Sequence, residues 1–179
     1  LGEMSFFPGQ TTETLGYNGN YLGPVLRVRR GQNVNVSVHN QLDEQTTVHW
    51  HGMDISGEAD GGPHQPILPG DVWAPSFTIE QPAATLWYHP HLHGTTGPQV
   101  YRGLAGLVYI EDEVSDALNL SKTYGVNDIP LILQDRNFND NGGFSYQVNM
   151  MGLVPGETML INGTADPFVE VNREKVRLR

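Results

Sequence analysis

The sequence predicts an all-β protein, a Greek-key sandwich followed by the start of a second domain. Three observations lead there. Short segments of alternating apolar and polar residues recur at close spacing. The chain carries 21 glycines and 12 prolines, so turns are frequent. A helical pattern is confined to residues 111–122, EDEVSDALNLSK, which is short enough to be a linker turn.

The predicted strands follow in order. VLRVRRG (25–31) alternates and stops at a glycine. NVNVSVHN (33–40) is strictly period two, with Val34, Val36 and Val38 on one face. QLDEQ (41–45) connects it to TTVHWHG (46–52), and residues 54–71 form a Gly- and Pro-rich loop. WAPSFTI (73–79) and TLWYHPH (85–91) read as strands, and GLAGLVYIED (103–112) as a buried one. A second block opens at DIPLILQD (128–135). It continues through a polar hairpin with Asn141-Gly142 as its turn (136–147), then TMLING (158–163) and VRLR (176–179). About 50 residues do not close a second sandwich, since sandwiches of this kind run to about 100 residues. The expected organisation is a complete domain over 1–112, a linker over 113–127 and an incomplete second domain over 128–179. The chain opens at Leu1 without a signal-peptide pattern, as processing or trimming would leave it.

Composition narrows the function. The formal net charge is −10, which disfavours a stable complex with nucleic-acid phosphates. No window approaches the roughly 20 apolar residues of a membrane span. There is no cysteine. Neither a blue-copper site nor a zinc–cysteine site can be built from this chain alone.

Five of the seven histidines fall in two short runs, VHWHG (48–52) and LWYHPHLHG (86–94). In a strand, residues two apart face the same side with Cα atoms roughly 6.6 Å apart. His49 and His51 therefore project together, away from Trp50. His89, His91 and His93 do so if the strand persists through Pro90. Proline removes a ladder donor, so that strand is expected to lie at an edge or to end there. Roots at this spacing chelate one ion with inward bending and suit two neighbouring ions more easily. An all-imidazole set favours copper, zinc, iron or nickel over magnesium or calcium. Core histidine explains one such pair about as well as a ligand does. It explains two pairs, each flanked by Trp and Gly, poorly.

The two runs resemble the N-terminal domain of a three-domain bacterial multicopper oxidase, of the copper-efflux (cuprous) oxidase and spore-coat laccase branch. LGYNGNYLGPVLRVRRGQ, NQLDEQTTVHWHGMDISGEADGGP, HGTTGPQVYRGLAGLVYIEDE and NDIPLILQDRNF are similar to that family as well. The resemblance implies a cupredoxin-like β-sandwich followed by the beginning of a second cupredoxin domain. It implies copper as cofactor, with His49 on the type 2 copper, His51 and His89 sharing one type 3 copper, and His91 on the other. These are half of a trinuclear cluster. The other half and the type 1 copper would come from a C-terminal part of the same protein. In such enzymes one-electron oxidations of Cu(I), phenols or similar donors feed the reduction of dioxygen to water. The 179-residue chain alone is expected to be inactive.

The same resemblance gives Asp60, in GEADGGP, a role in delivering protons during oxygen reduction. Its plain reading is a turn carboxylate. His93 is assigned to the surroundings of the site or a channel, His39 and His64 to the surface, and Gln99 resembles a family position of unclear role. Asp54, Glu58 and the EDE run (111–113) read as solvated charge, and Met150-Met151 as packing. The alternative functions are a copper-binding module, a cell-envelope scaffold with this fold and no oxidase activity, and a two-domain copper nitrite reductase or small laccase. The family is commonly periplasmic or at the cell surface.

Overall fold

The computed structural model describes residues 1–179. In chain order the elements are β1 (Gly2–Met4), β2 (Thr12–Thr14), β3 (Leu26–Arg29), β4 (Asn33–Asn35), β5 (Val38–His39), β6 (His49–His51), β7 (Val72–Trp73), β8 (Ser76–Thr78), β9 (Ala84–His89), α1 (Thr96–Tyr101), β10 (Gly106–Glu111), α2 (Glu113–Ala117), β11 (Asp128–Ile129), β12 (Leu133–Arg136), β13 (Thr158–Ile161), β14 (Thr164–Ala165) and β15 (Arg177–Leu178). Every strand foreseen in 25–112 is present. The 33–40 run is split into β4 and β5, and 73–79 into β7 and β8.

One sheet runs β3-β10-β9-β6. β10 lies in its middle, parallel to β3 and antiparallel to β9. Its residues Val108, Tyr109 and Ile110 are buried on both faces, which is why its sequence reads as a continuous apolar run. Facing this sheet are the ribbons β4–β8 and β5–β7. Between the two layers lies a core of Val28, Val48, Trp50, Ile67, Ile79, Tyr88, Val108 and Ile110, with Val34, Val36 and Val38 packed against it. The period-two valines thus do what their pattern requires. The sheet order also settles the Pro90 question. β9 is an interior strand, and it ends at His89 instead of running on as an edge.

α1 lies in a stretch without helical periodicity. It is only six residues long, and its C-terminal end is held from outside. The buried Arg136 guanidinium donates from Nε to the Tyr101 carbonyl (2.8 Å) and from Nη2 to that of Val100 (3.3 Å). A cation at a helix C-terminus is favourable, since the last carbonyls lack intrahelical partners. The expected linker turn after β10 contains the helix α2. Asp112, read as solvated, is instead its N-cap and is buried (8% exposed). Its carboxylate accepts from Ser115 N (2.7 Å) and Ala83 N (3.0 Å), and these bonds hold its pKa below the ordinary carboxylate value. Glu111, also read as solvated, pairs with Arg27 at 2.7 Å.

The 128–179 block packs onto the first sandwich at two places. Phe6 meets Phe138 and Phe144 with ring centroids 5.4 Å apart in both cases. The 136–147 hairpin keeps only a Phe138–Phe144 bridge, with Gly142 at φ 80° in its turn. At the other place, β15 pairs in parallel with β11. Arg179 makes a two-pronged contact with Asp128, Nη2–Oδ2 2.6 Å and Nε–Oδ1 2.9 Å, and lies 3.7 Å from the Tyr109 ring centroid. Met150 and Met151, expected to pack, are exposed here.

The Asp128 carboxylate is 2% exposed and its Arg179 partner 11%. Removing one partner of a buried pair strands the other charge. Asp128→Ala is therefore expected to cost about 3–5 kcal/mol, read as a lower urea midpoint in the full-length protein.

Candidate metal centre

The site stands on the β6–β9 pair. Their register sets His49 opposite His89, Trp50 opposite Tyr88 and His51 opposite Trp87. Alternation then divides the two faces. Trp50 (2% exposed) and Tyr88 (3%) enter the core, while His49, His51, Trp87 and His89 share the outer face. The imidazoles converge. Ring centroids of His49 lie 5.6 Å from His51, 5.5 Å from His89 and 5.0 Å from His91.

Hydrogen bonds at the rear of the rings settle which nitrogens are free. His49 Nδ1 lies 3.0 Å from the Asp60 carbonyl oxygen, an acceptor only, so Nδ1 carries the proton and Nε2 keeps its lone pair. His89 Nδ1 lies 2.7 Å from the Pro90 carbonyl, with the same consequence. His51 Nδ1 points at His89 Nε2 across 3.1 Å. Without a cation, His51 Nδ1 donates to the lone pair of His89 Nε2. With a cation, both can aim lone pairs at it.

One ligand nitrogen from each of His49, His51 and His89 falls within 4.8 Å of the other two. This donor set suits a transition-metal ion of the copper and zinc kind, all three donors being borderline nitrogens with no hard oxygen among them. The proton-bearing nitrogens of His49 and His89 are tied back to carbonyls, the usual arrangement behind metal-binding histidines. His91 is adjacent but stands outside that three-nitrogen group.

The acidic loop is built to meet His49. The Asp60 carbonyl also accepts from Trp50 N (3.2 Å), and its carboxylate Oδ2 lies 3.3 Å from His49 Nδ1. Gly61 follows at φ 72°, packed so closely on the Val48 carbonyl that no side chain fits. Its N–H donates to Gln65 Oε1 (2.7 Å), and Gln65 in turn bonds the Glu58 carbonyl. His93, His39 and His64 are exposed, and His39 Nε2 lies 3.0 Å from the Ser37 hydroxyl.

Two residues of the site were not foreseen as parts of it. Trp87 stacks on His89, centroids 3.9 Å apart at 23°, and lies 5.1 Å from His51. Its signal was its parity with His89. Thr47, completely buried, accepts from His91 N at 2.6 Å. No sequence pattern links residues 44 apart. Gln99, whose role was open, is buried (1% exposed) and bonds Thr46 Oγ1 (2.8 Å) and the Gln45 carbonyl (2.9 Å).

Residues 2–115 match the family model described as multicopper oxidase. The multicopper oxidase Mco of Staphylococcus aureus is 45% identical over 178 residues, which are 99% of this chain and 39% of that protein. The cell division protein FtsP of Escherichia coli K12 is 43% identical over 175 residues, 98% of this chain and 37% of that one. Among solved structures, a laccase-like multicopper oxidase from Ochrobactrum sp. superposes with a TM-score of 0.92 at 42% identity, covering 99% of this chain and 40% of that one. The chain thus spans roughly two fifths of the length of the relatives it matches.

Burial pushes the His89 imidazole from 6.5 down to about 4. The Pro90 carbonyl works against this shift, and His49, His51 and His91 add to it. Below pH 6.5 the unfolded chain takes a proton at this side chain that the folded form refuses until about 4. Stability of the metal-free protein should therefore fall as pH is lowered from 6.5 to 4, with this contribution flat above that window. Urea midpoints across this range should drop less for His89→Gln than for the wild type.

Proposed function

Because the chain belongs to the multicopper oxidase family, we propose that the protein containing it couples one-electron oxidation of a reducing substrate to four-electron reduction of dioxygen to water. The substrate class is Cu(I), phenols or similar donors. The observation that carries this reading is the convergence of His49, His51 and His89 within a chain matched by that family.

In this reading His49, His51, His89 and His91 supply half the ligands of a trinuclear copper site. His49 serves the type 2 position, His51 and His89 together one type 3 position, and His91 the other. The facing of His51 Nδ1 and His89 Nε2 supports their pairing on one ion. Copper, when bound, supplies the electron-accepting and dioxygen-reducing chemistry. The chain's own residues hold and orient. The Asp60 and Pro90 carbonyls keep protons on the Nδ1 atoms of His49 and His89, leaving their Nε2 atoms to bind. Trp87 fixes the plane of the His89 ring. The Asp60 carboxyl, beside His49 and partly open to solvent, is placed to relay protons toward the oxygen being reduced, directly or through a water.

The type 1 copper and the other half of the cluster belong to a further part of the protein, since this chain has no cysteine to offer. The organisation follows as 1–112 for the first cupredoxin domain, 113–127 for a linker and 128–179 for the start of a second. The cellular site is the periplasm or cell surface. No helix here is long and apolar enough to cross a membrane.

The similarity to FtsP favours one second reading, a cell-envelope scaffold with this fold and no oxidase activity. Copper content of the full-length protein, with oxygen consumption on Cu(I) and on a phenol, separates the two. Bound copper and turnover are expected; a copper-free, inert protein supports the scaffold. Within the oxidase, Asp60→Asn should retain copper and lower the rate of oxygen reduction by about 10²–10⁴-fold, the usual contribution of a positioned proton donor. A wild-type rate with copper in place refutes the proton role. The 179-residue chain alone is expected to consume no oxygen, and oxygen uptake by it would overturn the half-site assignment.

A further inference from the structure

The four histidines are not held alike. His49, His51 and His89 stand on paired strands, and the ladder between β6 and β9 sets their positions. His91 lies past the end of β9, beyond Pro90, which has no N–H to continue a ladder. Its backbone is held by a side chain: His91 N donates to Thr47 Oγ1 at 2.6 Å. Thr47 is wholly buried and lies two residues before His49, so one end of this bond is anchored at the entry to β6. The adjoining Thr46 is fixed in turn. Its hydroxyl donates to Gln99 Oε1 on α1, and Gln99 Nε2 donates to the Gln45 carbonyl. A continuous set of bonds therefore runs from α1 through Thr46 and Thr47 to the one of these four histidines that no strand carries.

We propose that Thr47 is the positioning residue for His91, its hydroxyl keeping the loop-borne imidazole in register with the three strand-borne ones. The proposal rests on the copper-ligand reading above. Its physical basis is that a ligand binds tightly only when its orientation is already paid for, and partners behind the ligands set that orientation. Removal of the hydroxyl leaves a part-buried N–H without its acceptor, and the 90–92 backbone is then free to shift to find another.

The test is copper affinity of the full-length protein by competition with a chelator of known strength. Thr47→Val, matched in shape but with no acceptor, should weaken copper binding by about 10–100-fold, the usual effect of losing a partner behind a ligand. Thr47→Ser should restore near-wild-type affinity. Thr47→Ala, which adds no methyl to the packed site, should show the same loss and serves where the valine variant does not fold. In a double-mutant cycle with His91→Ala, the Thr47→Val effect should largely vanish, because both substitutions disable one ligand. A packing role alone would instead add in full. Equal affinity of Thr47→Val and wild type, failure of serine to rescue, or full additivity with His91→Ala each overturns the proposal. A wild-type protein that binds no copper is a different failure: it removes the copper-ligand reading, and the positioning role with it.

Discussion

The constraint on which the rest depends is the register between β6 and β9. A strand gives each side chain one of two faces, so a single pairing decides five residues together. Trp50 and Tyr88 reach the core only if His49, His51 and His89 do not. A one-residue slip of β6 would turn Trp50 out of the core and His49 and His51 into it, losing about 1.5–3 kcal/mol of apolar burial and desolvating two polar rings. Core packing thereby enforces the arrangement of the donor face. The two tasks reinforce one another because they occupy opposite sides of the same two strands.

A second layer of control comes from main-chain carbonyls. The Asp60 and Pro90 oxygens have no proton to give, so each dictates the tautomer of the histidine it meets. Gly61 makes the first of these contacts possible, since its backbone conformation and its closeness to Val48 leave room for nothing larger. The Asp60 side chain is consequently free for other chemistry, because its carbonyl does the holding. In a chain of net charge −10, the donor set itself is free of carboxylates, which keeps it suited to borderline metals.

Much of this was legible because the relevant periodicity is local. Two His-x-His runs, a Trp between one pair and Val34, Val36 and Val38 in alternation all state their faces within a few residues. What lay hidden depends on distant partners. α1 has weak helical character of its own and is stabilised by Arg136, more than thirty residues away. Asp112 looked like one charge in an acidic run, and its burial follows from Ala83 and Ser115 meeting it. The bond from His91 to Thr47 joins residues 44 apart with no shared motif. Pro90 signalled a limit to the strand, but sequence alone left open whether the strand would end there or lie at an edge.

The 3.1 Å approach of His51 to His89 has a consequence for maturation. His49 and His51 are close neighbours in any extended chain, folded or not, so nascent polypeptide already offers a weak chelate. The His51–His89 pair exists only after residues 38 apart have come together. A metal ion held by these residues would gain part of its affinity before folding and part from it, and only the second part would favour the native state. Capture by one local pair would compete for such an ion, and the cross-strand geometry is the feature that would favour the folded site.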